Sequence, residues 1–306
     1  MVDFVGSGRA CHTDALLMLL GAQAPSAGLA ETLTGSPFGV HLLGGARPFF
    51  DPYGWSPEHG LDAAARLLGW RCERGGGGRE KEALERLRAV CARGPVLVGP
   101  VDAGGLEYLP QGQGLYCDHY VVVLAVEGDR VLLHDPHGHP YATVPVGPFM
   151  AAWRAREAAV SPEPYVLRWG FVRYGAPDPA EAVRTALPEW VSWLGVRADL
   201  PMPEGTLANR AAVERLAAMA DDGLTPLLRK SLTHYWIGVA ARRLAGAAGC
   251  LRAAGLREAA AVAAGQAWTL GALQHPLVRG DDRTAAELLR RLAPTYERMH
   301  EVLSAG

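Results

Sequence analysis

A cysteine stands at the first position of a stretch that is predicted to be helical. Cys11 follows a glycine-containing turn and precedes four leucines within residues 16–20, which form the apolar face of a short helix. The first backbone N–H groups of a helix are unpaired and carry the positive end of its dipole, so a thiolate there is stabilised and its pKa is lowered. Cys11 is therefore a candidate nucleophile. The alternative is a small side chain packed in the core, as free cysteines usually are.

Residues 119–136 contain two β-branched runs and predict a β-hairpin that turns at residues 127–130. His119 opens the first strand and Asp135 closes the second, so the hairpin brings an imidazole and a carboxylate close together. A bulge or an uneven turn completes the approach. Together with Cys11, these residues supply a nucleophile, a base and a group that orients the base, which is the set that nucleophilic catalysis requires.

Four other cysteines compete with Cys11 for this role. Cys117 lies two residues before His119, but at the start of a strand, where no helix dipole lowers its pKa. The remaining three are predicted to be packing residues: Cys72, Cys91 and Cys250. Five scattered cysteines without a C-x-x-C pair argue against a disulfide framework and a zinc ribbon, and they favour a reduced, cytoplasmic setting.

Residues 134–139, with the sequence HDPHGH, offer a different chemistry, because imidazole and carboxylate groups bind zinc. Asp118 or His119 would add a further ligand. These groups are crowded on one turn without distant partners, and His137 and His139 are otherwise typical of solvated turn residues. The sequence therefore predicts neither a metal nor another cofactor.

An aromatic segment, residues 49–60, is the predicted wall of the substrate cleft. It combines aromatic rings with carboxylates, and both kinds of group suit a cationic amine. The residues predicted to bind the substrate are Asp51, Tyr53, Trp55 and Glu58. The alternative is a packed loop in which two X-Pro pairs only start turns.

Composition excludes several classes of function. The chain has 306 residues, 49% of them hydrophobic, and a net charge of −2 without a basic or acidic block. This charge gives no electrostatic basis for binding nucleic acid or an anionic membrane surface. No apolar run reaches the ~20 residues of a membrane span, and the N-terminus lacks the pattern of a signal peptide. We therefore expect no nucleic-acid partner, no membrane partner and a cytoplasmic location.

The two parts of the chain differ in composition and in the spacing of their apolar residues. Residues 1–175 mix helical, strand and loop signals, whereas residues 178–306 are rich in Ala, Leu and Arg at helical spacing. The first part is predicted to contain helices 12–21, 60–70 and 80–94, strands 95–101 and 165–175, and the hairpin. The second part is predicted to contain helices 210–220, 234–255, 256–273 and 283–303. The predicted fold class is α+β, with a mixed domain at 1–175 and an all-α domain at 178–306.

Several stretches resemble the butirosin biosynthesis protein H family, which has a papain-like fold and is related to the bacteriocin-processing cysteine peptidases. They are CHTDALLMLL (11–20), ETLTGSPFGVHLL (31–43), the hairpin (119–136), FMAAWRA (149–155) and GVAARRLAGAAGCL (238–251). The resemblance covers nearly the whole chain. It implies a papain-like domain, in which a helix carries the cysteine and an antiparallel sheet carries the histidine and the aspartate, followed by a helical domain.

The resemblance also implies a reaction. The family prototype moves an acyl group from an acyl-carrier-protein thioester, through its cysteine, to an amine of an aminoglycoside. Carried over to this chain, Cys11 forms the acyl thioester and Asp135 holds the imidazole tautomer. His119 takes the thiol proton and then activates the amine. The implied partners are an acyl carrier protein or another thioester donor, and a small-molecule amine.

The oxyanion hole departs from the family pattern. Papain-like enzymes usually place a Gln shortly before the cysteine as a donor, and residues 1–10 contain none. The backbone N–H of Cys11 supplies one donor, and Ser7, Arg9, a glycine N–H or a group from elsewhere is the expected second. The second donor matters because losing one costs ~10²–10³ in rate.

Several alternatives stay open at this point. In a cysteine amidase, peptidase or thioesterase, water takes the acyl group instead of an amine. The missing Gln also fits an inactive papain-like module that docks a carrier protein through its helical half. Arg242 and Arg243 are expected either to meet a carrier-protein phosphate or to form a salt-bridged helix face, and the polar loop 102–114 is a predicted lid. An Ala-rich helical half further suggests a homodimer.

Overall fold

The computed structural model describes residues 10–109, 118–155, 163–197 and 199–306. The chain divides into two compact units, of which the first comprises Met1–Ala27 and Gly69–Gly175 and the second Gly28–Leu68 and Ala176–Gly306. The predicted division, 1–175 and 178–306, differs from the observed one in the placement of Gly28–Leu68. This segment clusters with the C-terminal part because its strand and its buried glutamate find their partners there.

The described residues form twelve α-helices and nine strands. The helices are α1 (Cys11–Leu20), α2 (Ala27–Leu33), α3 (Pro57–Leu67), α4 (Glu80–Cys91), α5 (Val146–Trp153), α6 (Pro179–Leu194), α7 (Asn209–Asp221), α8 (Pro226–Ser231), α9 (Ile237–Ala253), α10 (Arg257–Arg279), α11 (Asp282–Leu292) and α12 (Thr295–Ser304). The strands are β1 (His41–Leu43), β2 (Arg47–Phe49), β3 (Trp70–Gly75), β4 (Val96–Asp102), β5 (Asp118–Glu127), β6 (Arg130–Asp135), β7 (His139–Pro145), β8 (Leu167–Arg173) and β9 (Leu207–Ala208). Among the described helices, none has the length and apolar character needed to cross a membrane.

The first unit is built on a six-stranded antiparallel sheet in the order β3-β8-β4-β5-β6-β7. Helices α1 and α5 contact β4, and α1 and α4 contact β5. Residues 96–98 and 121–123 of these two strands are fully buried. Their runs of Val and Leu are typical of strands that helices cover. The core of the first unit therefore lies where the candidate nucleophile's helix meets the sheet.

The predicted hairpin is confirmed. Strands β5 and β6 pair antiparallel and turn at residues 127–130, where Gly128 has a φ of +58° that glycine adopts without strain. A bulge interrupts the pairing near Leu124, between Val123 and Ala125. The chain then continues into β7, so His139 begins a strand and is not a solvated turn residue. The sequence did not indicate β7, because Pro140 lies within it and weakens the strand pattern.

The second unit is mainly helical and carries a three-stranded antiparallel sheet in the order β2-β1-β9. Helix α9 packs along α10, α7 against α11, and α6 against α12. Three predicted boundaries were wrong. The helix expected at 283–303 is two helices separated at Pro294. The helix expected at 256–273 continues through Pro276 to Arg279. The helix expected at 234–255 begins as a π-helical turn, Leu232–Trp236, which precedes α9. Proline is the reason for the first two, because local sequence does not tell whether it ends or only kinks the helix.

Candidate active site

Cys11 is the first residue of α1, and its side chain is buried. The residue before it, Ala10, has no side-chain oxygen that could cap the first N–H groups of the helix. Helix α1 contacts β4 and β5, which places its N-terminal residue against the sheet that carries His119. The thiol therefore lies at the positive end of a helix dipole, as the sequence predicted, and it is buried there.

His119 and Asp135 are in contact, because Nε2 of the imidazole lies 2.7 Å from Oδ1 of the carboxylate. Val122 of β5 pairs with His134 of β6, and continuing this register places His119 and Asp135 on the same face of the hairpin. Their side chains are 1% and 0% exposed. A short charge-assisted hydrogen bond away from water fixes the orientation of the ring. The contact that the hairpin predicted is present.

Asp135 accepts two further hydrogen bonds. The hydroxyl of Tyr108 donates to Oδ2 at 2.9 Å, and the backbone N–H of His137 donates to Oδ1 at 2.8 Å. These donors stabilise the ionised carboxylate despite its burial, and its pKa is lowered to about 2. Burial alone would raise that pKa, so the three hydrogen bonds and the charge of His119 outweigh it. Asp135 is thus an anion across the physiological pH range.

The thiol of Cys11 lies beside two imidazoles. Its sulfur and one ring nitrogen each of His119 and His137 all lie within 4.8 Å of one another. Because Asp135 holds Nε2 of His119, Nδ1 is the nitrogen available to the sulfur, and among the described residues Nδ1 has no hydrogen-bond partner. The rings of His119 and His137 pack with their centroids 4.3 Å apart. Nucleophile, base and orienting carboxylate therefore form one continuous row.

Electrostatics favour a charged pair at this row. Burial would raise the pKa of the Cys11 thiol, but the charge of His119 and polar contacts with His119, His12 and His137 hold it well below its usual value. Burial would lower the pKa of His119, but the Cys11 thiolate and Asp135 raise it to about 10. The site therefore holds a thiolate and an imidazolium around neutral pH, the ionic form of a reactive cysteine.

Three residues that contact this row were not predicted as site residues: His12, Tyr108 and His137. For His137 the signal was its position two residues after Asp135, but it lies in the turn between β6 and β7, where strand alternation does not apply. The prediction of a turn residue is confirmed, but His137 is half-buried rather than solvated, and it contacts Asp135 and His119. For Tyr108 no signal was available, because its contact with Asp135 depends on how the segment after β4 folds back.

The four predicted substrate-binding residues all lie in the second unit. Asp51 is buried, and its backbone oxygen lies 3.0 Å from Nδ1 of His41. Trp55 is buried and donates from Nε1 to the backbone oxygen of Thr34. Glu58 lies in the first turn of α3, where a carboxylate favours the helix dipole, and Tyr53 is half-buried. These contacts explain Asp51, Trp55 and Glu58 as structural residues, and a role for all four in substrate binding stays a prediction.

Arg242 and Arg243 form salt bridges rather than an open phosphate site. Both guanidinium groups donate to the carboxylate of Glu31, which is buried. Arg243 also donates to the backbone oxygen of Phe50 and lies 3.7 Å from Asp51. The salt-bridged alternative is therefore the one that the structure shows.

The imidazole and carboxylate groups of the HDPHGH run have different partners and do not point to one common position. Asp135 turns to His119, while Nδ1 of His134 accepts the backbone N–H of Tyr141 in β7. His139 packs its ring near Tyr108, with the centroids 5.6 Å apart. Only His137 of the run joins the cluster of metal-ligating atoms found in the described part of the chain. The predicted alternative centred on this run is therefore not supported.

Several predictions fall on residues outside the described ranges. These are the competing thiol of Cys117, the oxyanion-hole donors Ser7 and Arg9, and residues 110–114 of the proposed lid. Within the described part of that loop, which ends at residue 109, Ala103–Gly105 forms a short 3-10 turn directly after β4. It leads to Tyr108, so the loop does contribute a residue to the site.

Known proteins resemble parts of this chain. Residues 203–304, which cover α7 to α12, match the family described as the YobF C-terminal domain. The chain is also similar to a protein of Bacillus subtilis (strain 168) named "Uncharacterized protein YobF", with 27% identity over 159 residues, or 51% of each chain. The chain thus spans about half the length of this curated relative. Neither name states an activity.

Proposed function

We propose that the protein is a cysteine-dependent acyltransferase whose first unit has a papain-like fold. The observation that carries the proposal is the buried row of Cys11, His119 and Asp135. The thiol begins a helix, while the imidazole and the carboxylate come from adjacent strands of an antiparallel sheet. This is the layout that the resemblance to the butirosin biosynthesis protein H family implies, and it supports acyl transfer through a thioester.

In the first half-reaction, the thiolate of Cys11 attacks the carbonyl carbon of a donor thioester. The carbonyl oxygen gains negative charge, and the backbone N–H of Cys11 at the start of α1 supplies one donor to it. The intermediate collapses by breaking the bond to the donor sulfur. The His119 imidazolium gives its proton to that departing thiolate, which leaves a neutral imidazole and an acyl group on Cys11.

In the second half-reaction, an amine attacks the acyl group on Cys11. Neutral His119 takes the proton that the amine loses, and the bond between the acyl carbon and the sulfur of Cys11 breaks. The products are an amide and the original thiolate–imidazolium pair, so protons and charges balance over the cycle. Asp135 accepts a hydrogen bond from Nε2 of His119 throughout, so the neutral ring always has its free nitrogen at Nδ1. Tyr108 and the His137 backbone hold Asp135 in turn.

The choice of an amine rather than water as the acyl acceptor rests on the resemblance. The side chain of His119 is 1% exposed and Cys11 is 5% exposed, and this burial restricts the access of water and of an amine alike. The proposed partners are an acyl carrier protein or another thioester donor and a small-molecule amine. A reducing, cytoplasmic setting belongs to the proposal, because oxidation destroys a thiolate nucleophile.

The proposal is tested by trapping the acyl-enzyme. Metal-free protein is incubated with an acyl N-acetylcysteamine thioester, a small surrogate for a carrier-protein donor, and the acylated cysteine is located by mass spectrometry. We expect one acyl group on Cys11 and its release as an amide when a primary amine is added. Cys11→Ala should gain no acyl group.

Cys91 provides the matched control, because it is a thiol of the same unit with the opposite electrostatics. Burial raises the pKa of Cys91 to about 12. Cys91→Ala should therefore acylate like the parent protein. Acylation spread evenly over several cysteines, or a parent protein that never acylates, would contradict the proposed function.

A further inference from the structure

We infer that Cys11, His119 and His137 form a zinc-binding site in which a bound ion blocks the nucleophile. The sulfur and the two ring nitrogens all lie within 4.8 Å of one another, in a cluster that three separate parts of the fold bring together. Thiolate and imidazole are the ligands that zinc prefers, and a set of two His and one Cys leaves a fourth position open.

Two buried imidazole nitrogens support a ligand at this point. Nδ1 of His119 and Nε2 of His137 have no hydrogen-bond partner among the described residues. Buried polar atoms without a partner are unusual in folded proteins, and each one calls for a ligand, a water or a functional role. A metal ion accepts an electron pair from Nδ1 of His119 and from a ring nitrogen of His137, and so satisfies both rings.

The surroundings of His119 also suit a metal ligand. Asp135 accepts a hydrogen bond from Nε2, which fixes the tautomer that leaves the lone pair of Nδ1 free to bind. Metal-bound histidines commonly have such a carboxylate behind them, and the carboxylate raises the basicity of the ring. The hydroxyl of Tyr108 and the backbone N–H of His137 hold Asp135 in place.

The distances require only a modest closure. Tetrahedral zinc with bonds of roughly 2.0–2.3 Å sets its ligand atoms about 3.5 Å apart. Side chains whose donor atoms already lie within 4.8 Å reach this separation by small rotations. The site also differs from the HDPHGH run considered from the sequence, because only His137 comes from that run. The other two ligands come from α1 and β5.

Binding and catalysis exclude each other at this site. Zinc takes the sulfur electron pair that would attack a carbonyl, and it replaces the proton on Nδ1 of His119, so one proton is released per ion bound from the thiolate–imidazolium state. No oxidation or reduction is involved. The site itself stands on geometry, whereas its effect on acyl transfer rests on the proposed function. Removing the metal with a chelator restores the thiolate.

Cobalt(II) provides the direct test, because it replaces zinc and its spectrum reports thiolate coordination. EDTA-treated, desalted full-length protein is titrated with Co²⁺ and then with Zn²⁺. We expect one ion per chain, a sulfur-to-cobalt charge-transfer band, and loss of the band when zinc is added. The band should be absent in Cys11→Ala, and the affinity should fall at least about tenfold in His137→Ala. His139→Ala is the matched control, since His139 lies outside the cluster, and should bind like the parent protein.

The outcomes separate this inference from the proposed function. A band that persists in Cys11→Ala, unchanged affinity in His137→Ala, or no band at all would overturn the zinc site. Acylation of the metal-free protein is measured in parallel with the surrogate thioester. If cobalt binds and Cys11 never acylates, the acyltransferase proposal fails and the metal site stands. If Cys11 acylates and cobalt does not bind, the reverse holds.

Discussion

The protein buries two clusters of charged groups, one in each unit, and they differ in how fully their polar atoms are paired. In the second unit, both oxygens of Glu31 accept hydrogen bonds from Arg242 and Arg243, and Arg243 makes further contacts with Phe50 and Asp51. In the first unit, Asp135 is equally well paired, but the cluster ends at a thiol.

That difference separates structure from function. A buried ion pair whose groups satisfy one another holds its surroundings in place and has little left with which to react. The row in the first unit keeps one orienting interaction, from Asp135 to His119, and leaves Nδ1 of His119 available to Cys11. Burial of charge therefore does not by itself identify an active site. A buried group that faces a nucleophile is the more informative sign.

The largest effect is expected where the paired cluster is broken. Glu31→Gln keeps the shape of the side chain but removes the charge that two arginines share, and leaves Arg243 buried with a weaker partner. Breaking such a buried pair costs about 3–5 kcal/mol. We expect urea unfolding of the variant to show a loss of this size, while the rate at which iodoacetamide alkylates Cys11 in the folded protein is unchanged.

Glu297→Gln is the control for that experiment. Glu297 also pairs with an arginine, Arg210, but the two side chains are 55% and 50% exposed. Exposed pairs of this kind contribute about 0.2–1 kcal/mol. If Glu31→Gln destabilises the protein no more than Glu297→Gln, or if it slows alkylation of Cys11, the contrast between the two clusters is wrong.

A smaller effect is expected at Tyr108, which lies beside Asp135 at the carboxylate end of the row. Tyr108→Phe removes the hydroxyl that donates to Asp135, so the pKa of the carboxylate rises and the pKa of His119 falls from about 10. A hydrogen bond to a charged group contributes about 1.5–3 kcal/mol, and only part of it reaches the thiolate. We expect alkylation of Cys11 at neutral pH to slow by about three- to tenfold.

Tyr174→Phe is the matched control for Tyr108→Phe, because Tyr174 belongs to the same unit and is 59% exposed. The rate at which Cys11 is alkylated in Tyr174→Phe should equal that of the parent protein. Equal rates in both variants would show that Tyr108 does not support the reactive pair, and Asp135 would then be held by the His137 backbone and His119.

Local sequence was enough to predict the two parts of the row, but only the family resemblance brought Cys11 to the hairpin, and neither predicted the surroundings of the row. Cys11 at a helix start, and His119 and Asp135 at the two ends of a hairpin, follow from residue type and alternation, since both depend on neighbours close along the chain. Tyr108 joins the site through a loop whose path depends on the whole unit, so no local pattern predicts it.

The same limit explains the second unit. The helical spacing of its residues predicted most of the helices, but not that Gly28–Leu68 belongs with them. That grouping depends on the pairing of β1 with β9 and on the ion pairs of Glu31, which join residues more than 150 positions apart. For the same reason the sequence left open whether Arg242 and Arg243 meet a carrier protein or form salt bridges, and the structure shows their ion pairs with Glu31.

The most direct test of the central claim is the pH dependence of iodoacetamide alkylation at Cys11 in metal-free protein, with Cys91 as the internal reference. The pKa of Cys11 is lowered, so its thiolate forms as the pH rises through that low value, and the rate should reach a plateau below the ~8.5 of a free thiol. The plateau should extend to about pH 10, where His119 loses its proton, while Cys91 reacts only near pH 12. A Cys11 that titrates at or above 8.5, or that reacts no faster than Cys91, would contradict the account.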